Sequence, residues 1–302
     1  MDSSLSPMKK IFRNVLAVAL AGTTIIGILY ATEASPKMIK PEDMQVICYS
    51  CGRGENPENS LEGIGHCLSV NPNWRIEMDI QITADNVLVL FHDDNTVRTT
   101  GEDFRINDLT TKEVKKLNAG FNFKSDGTYP NRNSFIRIPE LREVFQKYPE
   151  AKLLLDIHTN NPKVVELFIE LIETKFKHGD FIVVSQYDAI IEQLRKERPH
   201  WTYGVPANEA KKLLYSSFLF LDGLFPIKSD LLLLPKKYGN INVLSKRVVN
   251  HAKKRNIPIW AWMYEGEYVK TVESKIEMEE LGKFGVNGIF TEFPQKLSNE
   301  LQ

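Results

Sequence analysis

Glu77-Met78-Asp79-Ile80-Gln81-Ile82-Thr83-Ala84-Asp85, followed closely by Leu90-Phe91-His92-Asp93, is the stretch on which the reading of this chain turns. Residues i and i+2 of a strand share a face, so Glu77 and Asp79 project together near the end of one run. Two carboxylates on an inward face repel each other unless a cation sits between them. The run that follows ends in His92-Asp93, which brings an imidazole to the same place. Asp156 closes a later run, Leu153-Leu154-Leu155-Asp156, and offers a third oxygen. An all-oxygen set suits Mg²⁺ or Ca²⁺ better than Zn²⁺. Glu-x-Asp alone also occurs on solvated strands; its joint placement with two further strand ends is what marks a site.

Outward from this stretch, short β-rich runs alternate with helical patterns. The candidate strands are Gln45–Tyr49, Arg75–Thr83, Val87–Phe91, Leu153–His158, Phe181–Ser185, Thr202–Val205, Leu221–Phe225, Leu231–Leu234, Ile257–Trp262 and Gly288–Thr291. Several are apolar throughout, as parallel strands buried on both faces are. The helical patterns are Asn59–Val70, Pro139–Lys147, Pro162–Phe176, Ala189–Arg198, Ser245–Arg255 and Lys270–Phe284. This alternation predicts a (β/α)8 TIM barrel over 45–302. A doubly wound open sheet is the alternative, weakened by the lack of a Gly-rich strand-turn-helix fingerprint. Residues 94–138, rich in Asp, Asn, Thr, Gly and Lys, read as a small insertion after the third strand.

The N-terminus differs from the rest. Lys9, Lys10 and Arg13 precede an apolar run over 15–31, with small residues after it. Residues 1–34 therefore read as a signal peptide, cleaved, or as a signal anchor, retained. At ~1.5 Å per residue the run lies at the lower edge of a bilayer span. Residues 35–44 form a polar linker. Basic residues kept inside place the barrel outside the cytoplasm: secreted, periplasmic or membrane-anchored and facing away. Lys+Arg number 38 and Asp+Glu 39 in 302 residues, for a net charge of −1. No global basic field exists to hold nucleic acid.

Glu77-Met78-Asp79 to Thr83, Asp85, His92-Asp93 and Thr96-Val97-Arg98-Thr99-Thr100-Gly101 together resemble the glycerophosphodiester phosphodiesterase family. Pro57-Glu58-Asn59-Ser60 upstream is similar to the family's Pro-Glu-Asn-Thr. Downstream, Ile138-Pro139-Glu140-Leu141, Ile257-Pro258-Ile259-Trp260-Ala261-Trp262 and Gly285 to Pro294 follow in family order. The resemblance covers about residues 45–297. It implies a (β/α)8 barrel that uses a divalent metal to hydrolyse a glycerophosphodiester to glycerol 3-phosphate and an alcohol. Glu77 and Asp79 match two family metal ligands. Asp156 stands where the third is usually Glu, and His92 matches the second of two catalytic histidines.

The chain departs from the family at the first histidine. Ungapped alignment puts Tyr49-Ser50-Cys51 at the family's His-Arg-Gly; a gap that matches Arg53-Gly54 puts Gly52 at the His. No His precedes His66, so neither alignment restores it. Tyr49 is the candidate stand-in proton donor, and Ser50 takes the phosphate-contacting Arg position without its charge. His158 replaces the family Lys, and Trp262 marks the late substrate-binding segment. Loss of a general acid or base costs ~10²–10⁴ in rate. Two readings follow: a phosphodiesterase with weakened or altered activity on glycerophosphodiesters or lipid-derived diesters, and an inactive barrel that binds a ligand or partner at the membrane or outside the cytoplasm. The expected ligand is a small-molecule or lipid-headgroup phosphodiester, with membrane attachment through 15–31. Cys48, Cys51 and Cys67 read either as a disulfide (48–51 or 51–67) or as small buried residues.

Overall fold

The computed structural model describes residues 7–221, 225–265 and 268–302. Its strands are β1 (Gln45–Cys48), β2 (Arg75–Ile82), β3 (Leu88–Leu90), β4 (Lys152–Ile157), β5 (Phe181–Val184), β6 (Leu232–Pro235), β7 (Lys237–Tyr238), β8 (Ile241–Asn242), β9 (Ile259–Glu265), β10 (Tyr268–Lys270) and β11 (Gly288–Thr291). Its helices are α1 (Pro7–Thr32), α2 (Leu61–Val70), α3 (Val97–Thr100), α4 (Thr111–Val114), α5 (Leu141–Lys147), α6 (Lys163–Lys175), α7 (Asp188–Glu197), α8 (Ala207–Phe218), α9 (Lys246–Lys253), α10 (Lys275–Lys283) and α11 (Pro294–Leu301).

The parallel neighbours run β6-β9-β11-β1-β2-β4-β5. Bridges Val183–Tyr203 and Gly204–Leu231, both parallel, carry the ring from β5 back toward β6. The segment around Tyr203 is thus an eighth stave held by two bridges rather than a full ladder, and the expected barrel is present. Its interior is filled by Ile47, Leu154, Ile182, Leu231, Trp260 and Phe290. The outer core lies between sheet and helices, where α6 buries Val164, Val165, Phe168, Ile169 and Ile172 at helical spacing. Serine caps start α2, α9 and α10: Ser60, Ser245 and Ser274 accept from the backbone N–H of Gly63, Val248 and Glu277. Each such cap is worth ~1 kcal/mol.

Three sequence expectations change. β3 is antiparallel to β2 and forms a hairpin outside the ring, so 94–138 follows a hairpin rather than a third barrel strand. Its apolar run satisfied the pattern of a buried strand without fixing direction. Leu221–Phe225 is not a barrel strand in its described residues; α8 precedes it, and 222–224 lie outside the described residues. Lys270–Phe284 splits, with Lys270 in β10 and helix from Lys275.

The linker and the two residues before it pack on the barrel. Asn250 Nδ2 donates to Glu33 Oε1 at 2.9 Å and to the Ala34 carbonyl at 2.8 Å, and the Ile39 amide donates to the Gly282 carbonyl. α1 carries exposed Phe12, Val15, Val18, Leu20 and Ile25. Among the described residues no helix is long and apolar enough to cross a membrane.

Candidate functional site

Register builds the site. Asp79 of β2 pairs with Asp156 of β4, so the two carboxylates stand at one level on adjacent strands. The inward rows are Glu77-Asp79-Gln81 on β2 and Leu154-Asp156 on β4 with His158 just past its end, each spaced by two. The β2–β3 hairpin then turns the chain back. The Phe91 amide donates to the Asp79 carbonyl, which sets His92 beside the carboxylates. His92 reaches the expected mouth along an antiparallel return.

The cleft at the strand ends has a volume of about 310 Å³. Tyr49, Glu77, Asp79, His92, Asp156, His158 and Trp262 all line it. Ser50 does not; it is fully buried behind the carboxylates. Its backbone N–H donates to Glu77 Oε2 at 2.5 Å. Its hydroxyl lies 3.4 Å from Asp79 Oδ2. Tyr49 follows β1 directly and faces the carboxylates, which is where the ungapped alignment puts the family His. Ser50, Cys51 and Gly52 have φ of 44°, 62° and 75°. Left-handed backbone at two non-glycine residues costs of order 1–3 kcal/mol each, and here it aims the Ser50 amide at Glu77. Gly63 lets α2 approach this turn, since a Cβ there would lie 2.6 Å from the Cys51 carbonyl. The three cysteines are free and buried, as the small-residue reading expected.

Asn59 grips Asp79 twice. Its Nδ2 donates to Oδ2 at 2.7 Å, and its Oδ1 accepts from the Asp79 amide at 2.9 Å. His158 Nε2 lies 3.0 Å from Asp79 Oδ1 and 3.2 Å from Asp156 Oδ2. His92 Nδ1 lies 2.6 Å from Asp93 Oδ1. Arg98 holds Asp93 and also makes a two-toothed pair with Glu58. Gln81 Nε2 donates to the His158 carbonyl at 3.2 Å, tying β2 to the end of β4.

Electrostatics follow from this packing. Burial, then Asp79 and Asp156, push the Glu77 carboxyl well above its ordinary value. Burial alone would raise Asp79 as well, but the His158 bond and charge hold it down to about 2. Burial would lower His158; Asp156 and Asp79 outweigh it and push the ring up to about 12. The bond to Asp93 raises His92. Burial beside Glu77 and Asp79 raises the Tyr49 phenol, so it stays protonated at neutral pH. Asp156 Oδ1 is buried with no hydrogen-bond partner among the described residues. Oxygens of Glu77, Asp79 and Asp156 lie within 4.8 Å of one another. A partnerless buried oxygen in a set of three clustered carboxylates fits a divalent cation.

Asn59 was not legible in sequence as a site residue, although it stands in Pro57-Glu58-Asn59-Ser60; its backbone at φ 52° is the structural sign of its role. Nor was the apolar wall of Leu154, Val184, Val205, Leu233 and Phe290, contributed by separate staves.

A profile of the Glycerophosphoryl diester phosphodiesterase family matches residues 52–296. A Glycerophosphodiester phosphodiesterase of Caldanaerobacter subterraneus subsp. tengcongensis is 28% identical over 249 residues, covering 80% of this chain and 91% of the relative. Lysophospholipase D GDPD1 of Mus musculus is 25% identical, covering 84% and 85%. Among solved structures, a glycerophosphoryl diester phosphodiesterase domain from Mycobacterium tuberculosis superposes with TM-score 0.69 at 15% identity, over 86% of this chain and 100% of that one. An Oleispira antarctica phosphodiesterase in complex with the product sn-glycerol-3-phosphate gives TM-score 0.66 at 20% identity, over 85% and 96%. These structural matches show the barrel.

Proposed function

Because the chain belongs to the glycerophosphoryl diester phosphodiesterase family, we propose that its cleft hydrolyses a glycerophosphodiester to glycerol 3-phosphate and an alcohol, with activity altered by the missing first histidine. The observation that carries this reading is the convergence of Glu77, Asp79, Asp156 and His92 on one cleft.

Glu77, Asp79 and Asp156 would hold a divalent cation of the Mg²⁺ or Ca²⁺ kind, which when bound would neutralise phosphate charge. The chain's own residues do the rest. The Ser50 amide and Asn59 fix the carboxylates. Asp93 holds His92 Nδ1 and leaves Nε2 to face the cleft, where, as a water oxygen bonds to phosphorus and gives its proton to solvent, it donates a proton to the departing alkoxide whose P–O bond breaks. His158 adds positive charge next to Asp79 and Asp156, standing in for the family Lys. Tyr49 offers the phosphate a hydrogen bond but, with a raised phenol, is a poor proton-transfer group. That observation favours a second reading, a barrel that binds the diester without turning it over.

The apolar wall of Val184, Val205, Leu233, Trp262 and Phe290 supports a lipid-derived diester, with a hydrocarbon part beside the phosphate. The mouse relative, a lysophospholipase D, points the same way. We read 1–34 as an export or anchor segment that places the barrel outside the cytoplasm; positive charge ahead of the apolar run over 15–31 supports this.

The test is product identification by phosphorus NMR with the full chain, a divalent cation, and either glycerophosphocholine or a lysophospholipid. Glycerol 3-phosphate, or its acylated form, is expected, and His92→Ala should slow release by about 10²–10⁴. No release from either diester, or a rate indifferent to His92→Ala, contradicts the hydrolase reading.

A further inference from the structure

The cleft holds a second ligand set that the carboxylate triad does not explain. Ring nitrogens of His92 and His158 and a carboxylate oxygen of Asp79 also lie within 4.8 Å of one another. We infer that Asp79, His92 and His158 form a nitrogen-bearing site for a zinc-class divalent ion, sharing Asp79 with the oxygen triad and distinct from it in chemistry.

Two observations carry this beyond proximity. The first is the direction of the rings. His158 Nε2 is already aimed at Asp79 and Asp156. His92 turns Nδ1 to Asp93, which leaves its other nitrogen for the cleft. The two rings lie with centroids 4.5 Å apart. The second is the outer layer. Metal-binding histidines commonly give their other N–H to a carboxylate, which fixes tautomer and orientation. Asp93 does this for His92 and is itself fixed by Arg98, which is fixed in turn by Glu58. Two imidazoles and one carboxylate with an open side make a borderline-metal set, the donor type of three-ligand zinc sites. A Lys at 158, as in the family pattern, could not contribute: its ammonium has no lone pair.

Filling this site takes the His92 nitrogen away from proton transfer. A zinc-class ion therefore opposes the hydrolase proposed above. The inference concerns that same cleft, but its test reads ligand chemistry rather than turnover, so the two can fail separately.

The test titrates metal-free full chain with Co²⁺ in excess Mg²⁺ and follows visible absorption. Intense bands of four- or five-coordinate, nitrogen-ligated Co²⁺ are expected, saturating at one ion per chain. His158→Lys and His92→Ala should each abolish them, with circular dichroism confirming the fold. Asp93→Asn, which touches no metal, should weaken Co²⁺ binding by about 10–100-fold. Weak bands of an all-oxygen octahedral ion, bands unchanged in His158→Lys, or complete displacement by Mg²⁺ would each overturn the inference.

Discussion

In the function proposed above, activity turns on Tyr49. It stands at the end of β1 and faces Glu77 and Asp79, with the Arg53 guanidinium 4.7 Å from its ring centre. Arg53 is itself committed to Glu292. A phenol raised by burial cannot exchange protons near neutrality as an imidazole does. Tyr49→His therefore restores the missing titrating group, and the glycerol 3-phosphate release rate should rise by about 10²-fold or more. Steady-state assays of the two proteins side by side check this; an unchanged or lower rate would show that Tyr49 is not the missing group's position. The carboxylates were legible in sequence because strand period two puts Glu77 with Asp79. Ser50 was not: its side chain was expected in the cleft, whereas its backbone amide is what the site uses, and backbone roles leave no residue-type signal.

At the scale of elements, the turn after β1 and the approach to α2 act together. Asn59 sits at positive φ just before the Ser60 cap and satisfies both the amide and the carboxylate of buried Asp79. Asn59→Ala removes one partner from the buried Asp79 carboxylate and one from its backbone amide, which should cost about 1–3 kcal/mol. Urea unfolding monitored by circular dichroism measures this, and a midpoint equal to that of the parent would show that Asn59 is not holding Asp79. Element identity followed well from apolar runs such as 153–155 and 181–184. Direction did not. β3 satisfies the same pattern as a parallel strand, and only the short Thr83–Val87 turn, with its Thr83 hydroxyl bonded to the Val87 amide, makes the hairpin. The stave at Tyr203 and Gly204, legible in sequence as the strand Thr202–Val205, is held by bridges alone.

For the whole molecule, seven parallel strands and one bridged stave bring residues from distant parts of the chain to one mouth. The ordered motifs between 45 and 297 made the barrel readable, whereas the apolar wall emerges only when β5, β6, β9 and β11 stand side by side. The charge balance of −1 conceals three clustered carboxylates that call for a cation. The direct test of a cation-dependent phosphodiesterase compares glycerol 3-phosphate release by chelator-treated full chain with and without Mg²⁺ or Ca²⁺, and again in Glu77→Gln. Release that returns with the cation and falls at least about 10²-fold in Glu77→Gln is the expected result. Release that persists in chelator, or that survives Glu77→Gln undiminished, would contradict it.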